Sequence, residues 1–268
     1  LRHADFFLMG PPSRSATHLW RWLSQHRDVF MPARRELGYY ALPDLHTDLD
    51  MESDPRLSDV TELPEPYFKC FKPAGDRLIG DGSSLYSLVP GAGRRIFKDN
   101  PNAKFVFVLE NPVTRAVSAH RYNVDLGLEQ EPHFDAALQK EPERLANGES
   151  PFFGYATGSR YRQMIEPLDI LFGPENVLII IAEEAVQQPL AALNRIRDFL
   201  DIGAVEEILP FRARSRQSAV AEVLSRVRSR RRQPEVCSMF QGEMVSEILW
   251  MEARTGSPMD LWHAKVQD

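Results

Sequence analysis

Cysteine is nearly absent: Cys70 and Cys237 are the only two in 268 residues, far apart and without ligand spacing. Neither a disulfide framework nor a zinc site is expected, and a reducing compartment is the default. No apolar run approaches the ~18–20 residues that a membrane-spanning helix needs. The longest candidate, VLIIIA at 177–182, is strand-sized. A basic-then-apolar leader is missing too, so we expect a cytoplasmic chain; its first residue is Leu, which makes a longer parent chain the expectation. Positive charge is not in excess, since 32 Lys plus Arg face 38 Asp plus Glu for a formal charge of −6. Such a balance does not gather nucleic acid, so any anion site must be local. Internal repeats are lacking, as is a Pro/Gly/Ser linker between two periodic blocks, and one domain over 1–268 is expected.

What is present is an ordinary globular composition, 43% hydrophobic and 26% charged, which excludes disordered and fibrous classes. FFLM at 6–9 has strand length and stops at Gly10-Pro11-Pro12, after which a polar stretch leads into the helical spacing of LWRWLSQH. KFVFVL (104–109) and NVLIIIA (176–182) read as strands covered on both faces. Helical patterns fill 93–100, 112 onward, 161–171 and 189–202. This alternation predicts an α/β fold, a central parallel sheet flanked by helices, with ligands gathering at the carboxyl ends of its strands. Two stretches differ from the rest. Residues 43–66 are rich in Pro, Asp and Glu with little periodicity, which predicts a surface excursion able to cover a site. Residues 212–232 hold eight Arg against the single acid Glu222.

A strand ending in Gly, a short polar loop and a helix is the general form of a phosphate cradle, because loop amides and the helix start offer donors to an anion. The full Walker pattern GxxxxGK[ST] is absent here. The segment from Gly10 to Tyr40, GPPSRSATHLWRWLSQHRDVFMPARRELGYY, nevertheless resembles the start of the sulfotransferase family, G-x-P-K-S-G-T-T-S-L-x-x-x-L followed by x-x-H-P-x-I/F-x-P-x-x-K-E-x-x-Y/F. Gly10, Thr17, Leu19, Leu23, His26, Phe30, Pro32 and Glu36 fall on family positions. FVFVLENPVTRAVSAHRY (105–122) is similar to the family's 3′-phosphate segment, with Asn111, Pro112, Arg115 and Ser118 matching. Weaker echoes follow in family order, among them GDGSSLYSLVP (80–90), like G-E-x-S-P-x-Y, and LWMEARTGSPMDLW near residue 255.

The resemblance implies a P-loop-like nucleotide-binding sulfotransferase fold. It also implies transfer of a sulfuryl group from 3′-phosphoadenosine 5′-phosphosulfate (PAPS), a co-substrate, to a hydroxyl or amine without a metal. The acceptor would be a small molecule, a sugar or a carrier-bound intermediate. Glu36 stands where glycosaminoglycan-type members carry their carboxylate base. Pro12, Ser13, Arg14, Ser15, Ala16, Thr17 and His18 form the implied 5′-phosphosulfate loop. Glu110 and Ser118 fall at the 3′-phosphate, and Arg212, Arg214 and Arg216 at a C-terminal basic loop. Tyr40, Asp81, Tyr86 and Tyr161 are candidates for an acceptor pocket, Asp81 because it falls on the Glu of the G-E-x-S-P-x-Y segment.

Departures carry equal weight. The loop lysine becomes neutral Ser13, although a register shifted by one residue gives its cationic role to Arg14. The loop glycine becomes Ser15 or Ala16, placing a side chain where positive φ or close approach is expected. His18 is an acid, a phosphate donor or simply part of the first helical turn. The 3′-phosphate arginine becomes Glu110, which reverses the charge. Two alternatives therefore stand beside an active sulfotransferase: an enzyme of this fold that has lost PAPS, and a non-catalytic module reading an acidic partner through its Arg block.

Overall fold

The computed structural model describes residues 2–45, 54, 56–57, 60, 64–204 and 237–263, with Arg14 described by its backbone alone. The Arg-rich stretch at 212–232, with Arg212, Arg214 and Arg216, lies outside the described residues.

Strands β1 (Phe6–Met9), β2 (Val29–Phe30), β3 (Leu78–Asp81), β4 (Lys104–Leu109) and β5 (Val177–Ile181) form one parallel sheet in the order β2-β3-β1-β4-β5. Their period of two divides the apolar side chains between two cores. Phe6, Leu8, Val106 and Val108 pack against α1 (Arg14–Leu23) and α8 (Pro189–Leu200). Phe7, Met9, Phe105 and Phe107 face α3 (Ala92–Asp99), α6 (Tyr161–Phe172) and, through Ile248 and Met251, α9 (Ser238–Thr255). The remaining helices are α2 (Pro64–Lys69), α4 (Pro112–Asp125), α5 (Phe134–Ala146), α7 (Ala182–Gln187) and α10 (Asp260–His263). None of the described helices is long and apolar enough to cross a membrane.

β3 carries no strand signal in sequence, because Gly80 interrupts it. Packing explains the glycine: a Cβ at Gly80 would stand 2.4 Å from the Phe6 ring and 2.3 Å from the Met31 sulfur. Pro142 interrupts the apolar period of α5 and hides that helix in the same way.

The 43–66 stretch is more deeply anchored than its composition predicts. Leu57 belongs to the larger core, and Asp54 is buried in an ion pair with Arg56. Arg56 also donates to Asn123 Oδ1 and lies 4.5 Å over the Phe152 ring, so the acidic run is tied to α4 by its one paired cation.

Candidate functional site

β1 lies at the switch point of the sheet, where the chain turns one way to β2 and later crosses back to β4. The segments that leave the carboxyl ends of the strands make up one rim: Gly10 to Ser13 after β1, Arg35-Glu36 after β2, Gly82-Ser83-Ser84 after β3, Glu110-Asn111 after β4 and Glu183 after β5.

Gly10 has φ of +111°, and its N–H donates to Ser87 Oγ at 2.7 Å. A Cβ there would meet the Val108 carbonyl at 3.2 Å. Gly10→Ala is therefore expected to destabilise the fold by about 1–3 kcal/mol, read as a lower urea midpoint at unchanged slope. Ser13 is the N-cap of α1: its Oγ accepts from the Ala16 N–H at 3.1 Å. The expectation of a strained loop at Ser15 or Ala16 does not hold, because both lie inside the right-handed first turn of α1. Gly10 takes the positive φ instead. Pro12 precedes the cap, half-buried, and His18 is half-buried on the helix.

Glu36 is held at the first turn of a 3₁₀ helix, Ser84–Ser87. Its Oε2 accepts from the Ser84 N–H at 3.0 Å and the Ser84 hydroxyl at 2.6 Å, and its Oε1 accepts from the Leu85 N–H at 3.1 Å. Burial pushes its pKa up to about 7, while these hydrogen bonds and Arg35 pull it back. With one hydrogen bond on Oε1, the carboxylate keeps a lone pair that can take a proton.

Arg35 enters the same rim from the other side. Its Nη1 donates to Thr17 Oγ1 on α1 at 2.5 Å, and Thr17 Oγ1 donates to the Ser13 carbonyl at 3.0 Å. Burial lowers the Arg35 pKa against the attraction of Glu36. Arg35 Nε and Trp20 Nε1 are buried with no hydrogen-bond partner among the described residues. Each such donor costs about 1–3 kcal/mol when it has no acceptor, so two together call for an explanation.

Asp81 is a fully buried hub. Oδ1 accepts from the Ser83 N–H and hydroxyl, Oδ2 from the Tyr67 hydroxyl at 3.0 Å and the Tyr86 hydroxyl at 2.8 Å. Tyr161 is equally buried and donates to the Glu110 carbonyl at 2.6 Å. Tyr40 donates to Asp99 Oδ2 at 3.1 Å and lines a cleft of about 360 Å³ with Tyr39, Arg95 and Lys98, at the end of α3 that leads into β4. The four residues expected at an acceptor pocket are interior side chains with polar partners inside the protein, and Tyr40 lines the cleft beside Asp99.

At β4, Asn111 caps α4, accepting from the Thr114 N–H at 2.9 Å. Glu183 accepts from the Asn111 N–H and the Trp262 indole, both at 3.0 Å, and Asn111 Nδ2 donates to the Trp262 carbonyl. This clasp accounts for the Asn-Pro match as a structural one. Ser118 is exposed on α4 and Glu110 is half-buried with a partner of its own. Arg115 is committed to partners inside the protein. It is buried, its Nε donates to Ser159 Oγ at 2.9 Å and its Nη2 to the Tyr155 carbonyl, and Glu110 is one of the groups that favour its charge. His26 is also structural, accepting from the Asp28 N–H at Nδ1, which leaves Nε2–H to donate to the Gly203 carbonyl.

The structure brings together Ser13, Thr17 and, through Arg35, Glu36 beside the loop. Sequence reasoning passed over Arg35 and Trp20. A signal for Arg35 existed, since it occupies the Lys of the K-E pair in the quoted pattern.

The fold matches a sulfotransferase from Alicyclobacillus acidocaldarius with a TM-score of 0.80 and 22% identity, covering 98% of this chain and 100% of that one. The sulfotransferase domain of the curacin biosynthetic pathway gives 0.55 at 18% identity over 80% of each chain. The sulfotransferase domain of the Synechococcus PCC 7002 olefin synthase gives 0.50 at 19% identity over 82% of each. No family model and no curated protein matches the sequence. The chain has the sulfotransferase fold.

Proposed function

We propose that this chain is a sulfotransferase that moves a sulfuryl group from PAPS to a hydroxyl or amine, with Glu36 as general base. The observation that carries the reading is a half-buried carboxyl group, held by Ser84 and Leu85 beside the β1–α1 loop, whose pKa burial pushes up to about 7. Two features beside the loop fit a phosphosulfate: α1 begins there with its backbone donors, and two buried N–H groups nearby have no acceptor among the described residues. PAPS would supply an activated sulfuryl group whose bond to the 5′-phosphate breaks as the bond to the acceptor forms. Glu36 Oε1 would receive the acceptor's proton. The rim offers less to a 3′-phosphate, because Glu110 places a carboxylate where the resemblance has arginine, with Ser118 the remaining hydroxyl.

That last observation favours a second reading, the same fold working with a donor that lacks the 3′-phosphate. Calorimetric titration with 3′-phosphoadenosine 5′-phosphate, with thermal unfolding alongside, separates the two. Micromolar binding and a raised Tm are expected; silence up to millimolar concentration would replace PAPS with another donor. Glu110→Arg is expected to tighten that binding by about tenfold or more, by restoring attraction to the dianion. Its Tm should fall, because buried Arg115 then loses a carboxylate that favours its charge.

A further inference from the structure

Arginine presents two usable edges, and this chain shows how one of them is normally filled. The Nε and Nη2 groups of Arg254 grip Asp169, and those of Arg162 grip Glu166, each pair of donors meeting both oxygens of one carboxylate. In Arg35, Nη1 is committed to Thr17, and its Nε–Nη2 edge has no hydrogen-bond partner among the described residues. Its acidic neighbour does not fill that edge: Glu36 accepts from Ser84 and Leu85, and no hydrogen bond joins it to Arg35.

A second donor borders the same spot. A Cβ at Gly82 would stand 3.2 Å from Trp20 Nε1 and 3.6 Å from Arg35 Cγ, so the indole N–H and the guanidinium stem flank one glycine. Thr17 and Trp20, three residues apart, share a face of α1. Both orphans are obligate donors, so no tautomer or rotation makes one serve the other. Arg21 lies close enough to Arg35 to disfavour its charge, and Glu36 and Tyr122 are the groups that favour it.

We propose that Arg35, through its Nε–Nη2 edge, and Trp20, through its indole N–H, form an oxyanion subsite for a tetrahedral sulfate or phosphate group. It supplies the cation that the loop lacks at Ser13. Naming the occupant as the phosphosulfate of the donor rests on the function proposed above; the subsite itself rests on the unfilled fork. Bidentate geometry makes the site selective for oxyanions over halides and for Arg over Lys.

The test follows the Trp20 indole ¹⁵N–H resonance, assigned by its loss in Trp20→Phe, during titration with sodium sulfate and with 3′-phosphoadenosine 5′-phosphate. Sodium chloride at matched ionic strength is the control. Sulfate is expected to shift this resonance saturably, and Arg35→Met to weaken sulfate binding by about tenfold or more. Arg35→Lys keeps the charge without the fork and is expected to recover only part of the affinity; it carries the test if Arg35→Met does not fold. Equal sulfate affinity in wild type and in both Arg35 variants, or a Trp20 resonance that sulfate leaves unmoved, would overturn the subsite. Nucleotide binding that persists unchanged in Arg35→Met would overturn it while the donor reading stands. An Arg35-dependent sulfate shift without nucleotide binding would uphold the subsite and reject the donor.

Discussion

Glu36→Gln is expected to lower kcat for sulfuryl transfer by about 10²–10⁴-fold, the range a positioned general base contributes, with donor binding little changed. The pH profile distinguishes this from loss of structure. Wild-type activity should rise as pH passes through about 7, where Glu36 ionises, and the residual activity of the variant should lose that limb. Stability runs the opposite way. A carboxyl group whose folded pKa lies above its unfolded value binds its proton more tightly in the fold. Its contribution is full below pH 4.5 and is lost as pH rises through about 7. The shift corresponds to about 3 kcal/mol, so wild type should lose up to that much relative to Glu36→Gln between those pH values. Urea unfolding of both proteins at pH 4.5 and pH 8 measures it. A kcat within threefold of wild type, with a flat pH difference, would remove Glu36 from the chemistry.

Asp81→Ala should have the larger effect on the fold. It strips the acceptor from two tyrosine hydroxyls, a serine hydroxyl and a backbone N–H, all buried. At about 1–3 kcal/mol for each unsatisfied donor, partly relieved by relaxation, the loss should be at least about 4 kcal/mol. In a chain of this size that corresponds to a Tm lower by about 10 °C or more. Asp81→Asn, which keeps one acceptor and turns an NH₂ toward donors, should fall between. A loss under about 1 kcal/mol in the alanine variant would mean that the tyrosine hydroxyls find other partners, and would return Asp81 to the acceptor pocket.

How far the sequence could be read depended on whether a residue's role is local. β1, β4 and β5 were legible because a strand buried on both faces reads as a continuous apolar run. β2, with two residues, and β3, with Gly80, exist only through pairing with neighbours far away in the chain, which leaves no local trace. The same division runs through the site. Glu36 was legible because its position follows the loop at a fixed spacing. Its hold by Ser84 and Leu85, 48 and 49 residues on, was not. Asp81 and Tyr86 suit a pocket and a buried network alike, and the partners that hold them, far apart in the chain or hidden in a turn, leave no sequence signal. Arg35 was passed over because which edge of a guanidinium is occupied cannot be seen in one dimension.

The clasp of Asn111, Glu183 and Trp262 sets the order in which the rim can be completed. The N-cap residue of α4 takes part in bonds that span 72 and 151 positions, the longer of them reaching past every strand of the sheet. A chain emerging from the ribosome can lay down all five strands and still lack the indole that closes this corner. The α4 corner is thus one of the last parts of the rim to acquire its native bonds, later than the loop's own contacts, which join residues 10–87.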